Sequence, residues 1–291
     1  MKRSVIFLLC FILFLVSCDN LESTETDFQG GSFSGPTSYT ATLVCPEDES
    51  IDGKTVQVLW KQGFDFPTPK REHYKFGGWA CGDDKLNSLD VWPYTHDAEL
   101  VATWIPITYR IDYKLSPVMN NLYSNYNAQA DDFYLPIPKP VKGHMFLGWT
   151  GEGITEPTKE ILIPSGSAGN KVYTANWKNE SDIAFKNDNG FAFEIIGDYA
   201  VIVGYFGEAM ESLYLPSEYN GYPVKAVGKG ALYGMSNSFE KLYIPVTVNL
   251  FEDYALGSGW AIFIEEGEPE DWLNASTFGK GNGKFSENNT N

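Results

Sequence analysis

One phrase that occurs twice constrains this chain more than anything else in it. Tyr74-Lys75-Phe76-Gly77-Gly78-Trp79 returns as His144-Met145-Phe146-Leu147-Gly148-Trp149, with Pro67 and Pro69 ahead of the first copy and Pro136 and Pro138 ahead of the second. Each copy closes on a matching segment, residues 100–104 and 173–177, and opens on an alternating one, residues 39–44 and 109–114. Self-similarity at a long fixed period marks repeated supersecondary units, and apolar-polar alternation marks half-buried strands. The expected fold class is therefore mainly β. Alternate residues of a strand share a face, which sets Tyr74, Phe76 and Gly78 on one side and Lys75, Gly77 and Trp79 on the other. Trp79 with Trp149, and Trp104 with Trp177, are read as core, because packing explains a ring that returns at one register position. Gly78 and Gly148 are read as points of close backbone approach. Trp60 and Trp92 lack a counterpart in the second copy and are the candidates for exposed contacts.

These residues resemble the Listeria/Bacteroides repeat, also called the internalin B-repeat, whose pattern ends in Tyr-x-Phe-x-Gly-Trp and then Leu-Tyr-Ala-x-Trp. The match covers 39–105 and 106–178. The resemblance implies two tandem small β-grasp-like modules, of a kind found in bacterial surface proteins as spacers or adhesive units. The chain departs from the pattern at His144, where the family has Tyr, and at His73, where it has Gly.

After Trp177 comes a polar break over 178–182, and the texture changes to short apolar runs between Gly, Asn and Pro. Leu213-Tyr214-Leu215-Pro216 recurs as Leu242-Tyr243-Ile244-Pro245, with Asn220-Gly221-Tyr222-Pro223-Val224 between them. These segments look like the leucine-rich repeats of BspA-like surface proteins. The resemblance implies a short leucine-rich-repeat-like β solenoid within a domain spanning 179–278. Such a unit cannot bury its apolar face alone, and about three repeats are needed. Residues 191–196 and 198–203 are accordingly expected to pair as a hairpin across Gly197-Asp198 and cap the array, and 261–264 to add a further strand. The polar tail, 279–291, is read as disordered.

The chain also carries an address. Lys2-Arg3, an apolar run over 5–14 and then Leu15-Val16-Ser17-Cys18 resemble a bacterial lipoprotein precursor. The run is shorter than the about 20 apolar residues a spanning helix takes. Residues 1–17 are thus expected to be a signal peptide, Cys18 the lipidation site that reaches the membrane, and 18–38 a flexible tether. The localisation implied is export, with a lipid anchor to the bacterial cell envelope at the outer membrane or cell surface. Loss of 1–17 moves the formal charge from −17 to −19. That balance opposes a nucleic-acid partner, which needs clustered Lys and Arg to replace counterions.

Cys45 and Cys81 are the one pair left for an oxidising compartment, and a disulfide there would stabilise the first module by roughly 4 kcal/mol in the chain-entropy model. Pairing needs Cα atoms within roughly 7 Å, which sequence leaves open. Two cysteines and three scattered histidines, His73, His96 and His144, make no metal-ligand cluster, and no cofactor is implied. No nucleophile elbow or His-Glu-x-x-His helix occurs, so the chain is read as a non-enzyme. The expected role is a lipid-anchored envelope protein that presents the leucine-rich-repeat-like domain for adhesion or protein–protein interaction, its partner host or bacterial. Tyr214, Tyr219, Tyr222, Tyr233 and Tyr243 suit such a surface. The alternative is a carbohydrate-binding lipoprotein of a glycan-capture system, in which Trp60, Trp92 or Trp272 stacks on sugar rings.

Overall fold

The computed structural model describes residues 38–86 and 91–265. It is mainly β, and its described helices are two single 3-10 turns, Glu180–Asp182 and Met235–Asn237. The chain divides into two compact units at 107/108.

In the first unit, β1 (Ser38–Val44), β2 (Thr55–Leu59), β3 (Tyr74–Cys81), β4 (Asp84–Leu86) and β5 (Ala98–Pro106) form one sheet in the order β2-β1-β5-β3-β4. The second unit begins with β6 (Tyr109–Lys114), β7 (Leu122–Tyr126), β8 (Phe133–Tyr134), β9 (His144–Gly151), β10 (Ile154–Thr158), β11 (Leu162–Ile163) and β12 (Lys171–Asn179). Five of these make a sheet in the order β10-β9-β12-β6-β7, and β8 pairs β11. Taken from the opposite edge, the second order matches the first strand for strand. The opening strand in each sheet runs parallel to the closing one, β1 with β5 and β6 with β12, and the twice-occurring phrase lies on β3 and β9.

The phrase does not run as a regular strand, and this corrects the alternation expected for it. Phe76 faces Trp104 while Gly78 faces Thr103, so Gly77 is one residue too many on β3. On β9 the surplus residue is Leu147, between Phe146 opposite Trp177 and Gly148 opposite Asn176. A bulge of this kind resets the side-chain alternation. Phe76 and Trp79 therefore share the core side, rings 5.5 Å apart, as do Phe146 and Trp149 at 5.3 Å. Gly78 and Gly148 carry the required positive φ, +112° and +141°. At Gly148 the close approach is real, since a Cβ would lie 2.5 Å from Thr158 N, whereas at Gly78 the nearest atom is the flexible Lys85 Cε at 3.4 Å.

Trp79 and Trp149 are both buried, and each indole N–H donates to a proline carbonyl at 3.1 Å, Pro67 in one case and Pro136 in the other. The prolines ahead of the phrase thus give a buried indole the acceptor it needs. Trp104 and Trp177 are half-buried rather than fully enclosed, packed on Phe76 and Phe146. His73 and Gly143 occupy one position in the two copies and share the left-handed conformation, φ +66° and +79°. Their carbonyls accept from Ile107 N and Glu180 N.

The remaining strands are β13 (Phe191–Ile196), β14 (Tyr199–Tyr205), β15 (Ser212–Tyr214), β16 (Glu218–Tyr219), β17 (Tyr222–Val227), β18 (Lys241–Pro245), β19 (Leu250–Phe251) and β20 (Ala261–Glu265). β13 and β14 form the expected hairpin across Gly197-Asp198, and Asn220-Gly221, both at positive φ, turn β16 into β17. β14, β17 and β19 run parallel, as do β15, β18 and β20. The two recurring Leu-Tyr segments align in space as they do in sequence, with Leu213 beside Leu242 and Tyr214 beside Tyr243. Ile262 continues the row from Leu242, so the further strand at 261–264 forms. Leu213, Leu215, Leu242 and Ile244 point into a core that also takes Phe191, Phe193 and Phe251.

Within the second unit, Met145 of β9 packs with Ile183, Ala192 and Phe206. Gly204 leaves the room for it, since a Cβ there would collide with the Met145 sulfur. Gly143 N donates to Phe206 O at 2.8 Å. The β6–β12 region and the parallel strands after it are thereby joined through buried apolar contact rather than by a bare linker.

Candidate binding surfaces

In the first unit, Trp60 follows β2 and is 41% exposed, with the Lys61 ammonium 4.4 Å from its ring centre. Trp92, the other ring expected at the surface, is overturned as a contact residue: it is 0% exposed. Its backbone pairs with the segment after β2, Lys61 N to Trp92 O at 2.9 Å and Trp92 N to Gln62 O at 2.8 Å. That pairing turns the indole inward against Phe64, Phe66 and Tyr94 at 6.1, 6.3 and 5.1 Å. A missing counterpart in the second copy therefore marked a different way of filling a core.

The Cys45–Cys81 disulfide, which the sequence left open, is absent, and the register explains why. Cys45 follows Val44, which lies beside Val101 of β5, and Cys81 follows Ala80, which lies on the other side of the same Val101. β1 and β3 are thus two strand spacings apart, about 9.5 Å, beyond the roughly 7 Å a bridge tolerates. Both thiols are buried in the core, and burial pushes that of Cys45 up.

In the second unit the outward row of the parallel strands carries Tyr214 and Tyr243, stacked at 4.3 Å with ring planes 7° apart. Tyr214 is 55% exposed. Beside them Lys241 holds Glu211 at 3.0 Å, and that hydrogen bond raises the lysine's pKa. Tyr222 is exposed on its turn. Tyr219 belongs instead to the core, stacked on Phe193 at 4.1 Å, and Tyr233 is half-buried. Cys18 and Trp272 lie outside the described residues.

The histidines do not converge. His144 begins β9 at the position of Tyr74 on β3, and its Nδ1 is buried without a hydrogen-bond partner. His96 Nδ1 lies 2.7 Å from the Asp97 carbonyl. Among the described residues no three His, Cys, Asp or Glu side chains group as a metal site, and no helix is long and apolar enough to cross a membrane.

Two features were missed in the sequence. Lys159 extends its Nζ to the carbonyls of Gly230 (2.5 Å) and Ala231 (3.4 Å), and burial pushes its ammonium down to about 8. Nothing in the neighbouring residues of Lys159 distinguishes it from a surface lysine. The second is an open cleft of about 690 Å³ along β7, bordered by Tyr113, Ser124, Tyr126, Ala130, Phe133 and Pro136. The signal that could have found it is Ser124, which stands where the first copy has Val56.

Comparison with known proteins gives no relative: no protein-family model, curated protein or solved structure matches the chain.

Proposed function

We propose that the chain is a lipid-anchored protein of the bacterial cell envelope, held at Cys18. In this reading the two matched sheets are tandem internalin B-repeat-like modules of β-grasp type, and the parallel strands after them are a short leucine-rich-repeat-like solenoid. The modules act as spacers, and the solenoid is the part presented to a protein partner for adhesion or assembly. The role is binding rather than catalysis. The observation that carries this reading is the stacked Tyr214–Tyr243 pair, which holds apolar ring surface in water on the outward row of the parallel strands. Exposed aromatic surface of this kind is what interface hot spots use.

The test has two arms. Protease shaving of intact cells is expected to remove the protein while a periplasmic control survives, and survival of both would withdraw the surface location. A pull-down from surface extracts with the full chain is expected to lose its partner when both tyrosines become Ala. Retention of every partner by that variant would remove the solenoid face from the proposal.

A second reading, glycan capture, is favoured by one observation, the exposed Trp60 ring. A glycan array that responds to the chain and falls silent on Trp60→Ala would favour this alternative.

A further inference from the structure

We propose that the β7 edge of the second unit is a docking site for an extended peptide of alternating apolar and basic residues. The peptide adds to β7 as a sixth strand and sets one apolar side chain into the cleft beside it. This site is on a different element from the Tyr214–Tyr243 row and rests on no part of the preceding reading.

The backbone supplies the first half of the site. Among the described residues β7 is last in its sheet and pairs only with β6, so one line of its N–H and C=O groups faces away from the sheet. Proteins ordinarily blunt such an edge with charged residues, Pro or a bulge. Leu122-Tyr123-Ser124-Asn125-Tyr126 has none of these, and its register with β6 is unbroken. Leu122 and Tyr123 are 58% and 61% exposed. Strand addition to an edge of this kind gives affinity through main-chain bonds and specificity through alternate side-chain pockets.

The cleft supplies the second half. The strand equivalent to β7 in the first unit is β2, with Val56 opposite Ala41 as Ser124 is opposite Ile111. There the core side of the edge is closed, because Val58 is buried and Val56, Phe64 and Phe66 pack in the same cluster. In the second unit Ser124 is smaller and is tied to the Tyr113 hydroxyl at 2.8 Å, which leaves the space between β7 and Phe133 open. The cleft, about 690 Å³ and open along one side, has room for an apolar side chain set down from the edge. Among the described residues no charged side chain borders it, while the exposed carboxamides of Asn125 and Gln129 stand at its rim.

Charge selects the ligand. Ala130, on the cleft wall, leads directly into exposed Asp131 and Asp132. Arg110, the cation of β6 opposite Asn125, is already committed to Asp112 and to the Tyr123 ring at 4.2 Å, and Asp132 keeps a carboxylate oxygen beyond the Oδ1 that accepts from Ser165 N at 2.7 Å. In a chain of formal charge −17, that rim favours Lys or Arg on the residues flanking the buried one.

The experiment is selection of a phage-displayed random heptapeptide library on the full chain, followed by titration of the enriched synthetic peptides. Alternating apolar and basic peptides are expected, with protection of the 122–126 amides from hydrogen exchange on binding. Ala130→Phe, which fills the cleft, and Leu122→Lys, which charges the edge, are each expected to weaken binding at least tenfold with the melting temperature retained. Leu122 is exposed, so its variant tests the site even if the cleft-filling one fails to fold. No enrichment, or enriched peptides indifferent to a folded variant, would overturn the proposal. So would self-association of the wild type that Leu122→Lys abolishes, since the edge would then belong to a second copy.

Discussion

Phe76 and Trp79 are separated by two glycines on β3, yet their rings meet edge to face on one side of the sheet. Phe146 and Trp149 repeat the relationship on β9. The residue that makes this geometry is the unpaired one between them, because a bulge adds a residue without advancing the ladder. A flat strand with the same sequence would have sent one ring of each pair to solvent.

The two motif glycines are not equally replaceable. Gly148→Ala meets both a φ of +141° and the β10 backbone at 2.5 Å, and is expected to cost more than about 2 kcal/mol. Gly78→Ala meets only the strained φ and a movable lysine, for about 1–2 kcal/mol. Urea unfolding of each variant checks the order, and equal losses would contradict it.

His73 occupies a left-handed position that its counterpart fills with Gly143. That conformation costs a non-glycine residue about 1–2 kcal/mol, against about 0.5–1 kcal/mol for the extra freedom glycine loses on folding. His73→Gly is therefore expected to stabilise the first unit by up to about 1 kcal/mol, read as a rise in its denaturation midpoint. A fall would show that the side-chain contacts of His73 outweigh the strain.

Because β5 separates Cys45 from Cys81, reductant is expected to leave the melting temperature unchanged. Peptide mapping after alkylation should find both thiols protected in the native chain and modified once denaturant is added. A mapped Cys45–Cys81 crosslink in the exported protein would refute the register.

Lys159 gives the second unit a pH signature. Its pKa in the folded chain is about 8 against an ordinary 10.5, so between those values the unfolded chain binds more protons. The lysine's contribution is full above 10.5 and is lost as pH falls through 8. Tyr173 acts in the opposite sense: burial pushes it up to about 12, and its contribution is lost as pH rises through that value. Below about pH 9.5 the lysine dominates. The stability of wild type relative to Lys159→Met is expected to rise by about 1 kcal/mol between about pH 7.5 and 9.5, allowing for solvent screening of a part-buried group. A pH-independent difference in guanidinium melts would remove Lys159 from the junction.

By itself the sequence determined which residues recur and therefore which stand in register. The Trp79–Trp149 match, the Leu213–Leu242 and Tyr214–Tyr243 neighbours and the hairpin across Gly197-Asp198 all rest on local pattern, because period and turn chemistry are properties of short segments. Only the tertiary structure decided what lies across a sheet. It placed β5 between the two cysteines, turned Trp92 inward, drew the Lys159 ammonium onto the Gly230 and Ala231 carbonyls and left the cleft beside Ser124 open. Those outcomes depend on distances between strands far apart in the chain and on the volume left when their side chains meet. A linear pattern carries neither quantity, so two copies of one phrase could share a ladder and still differ in whether the edge beside it is filled.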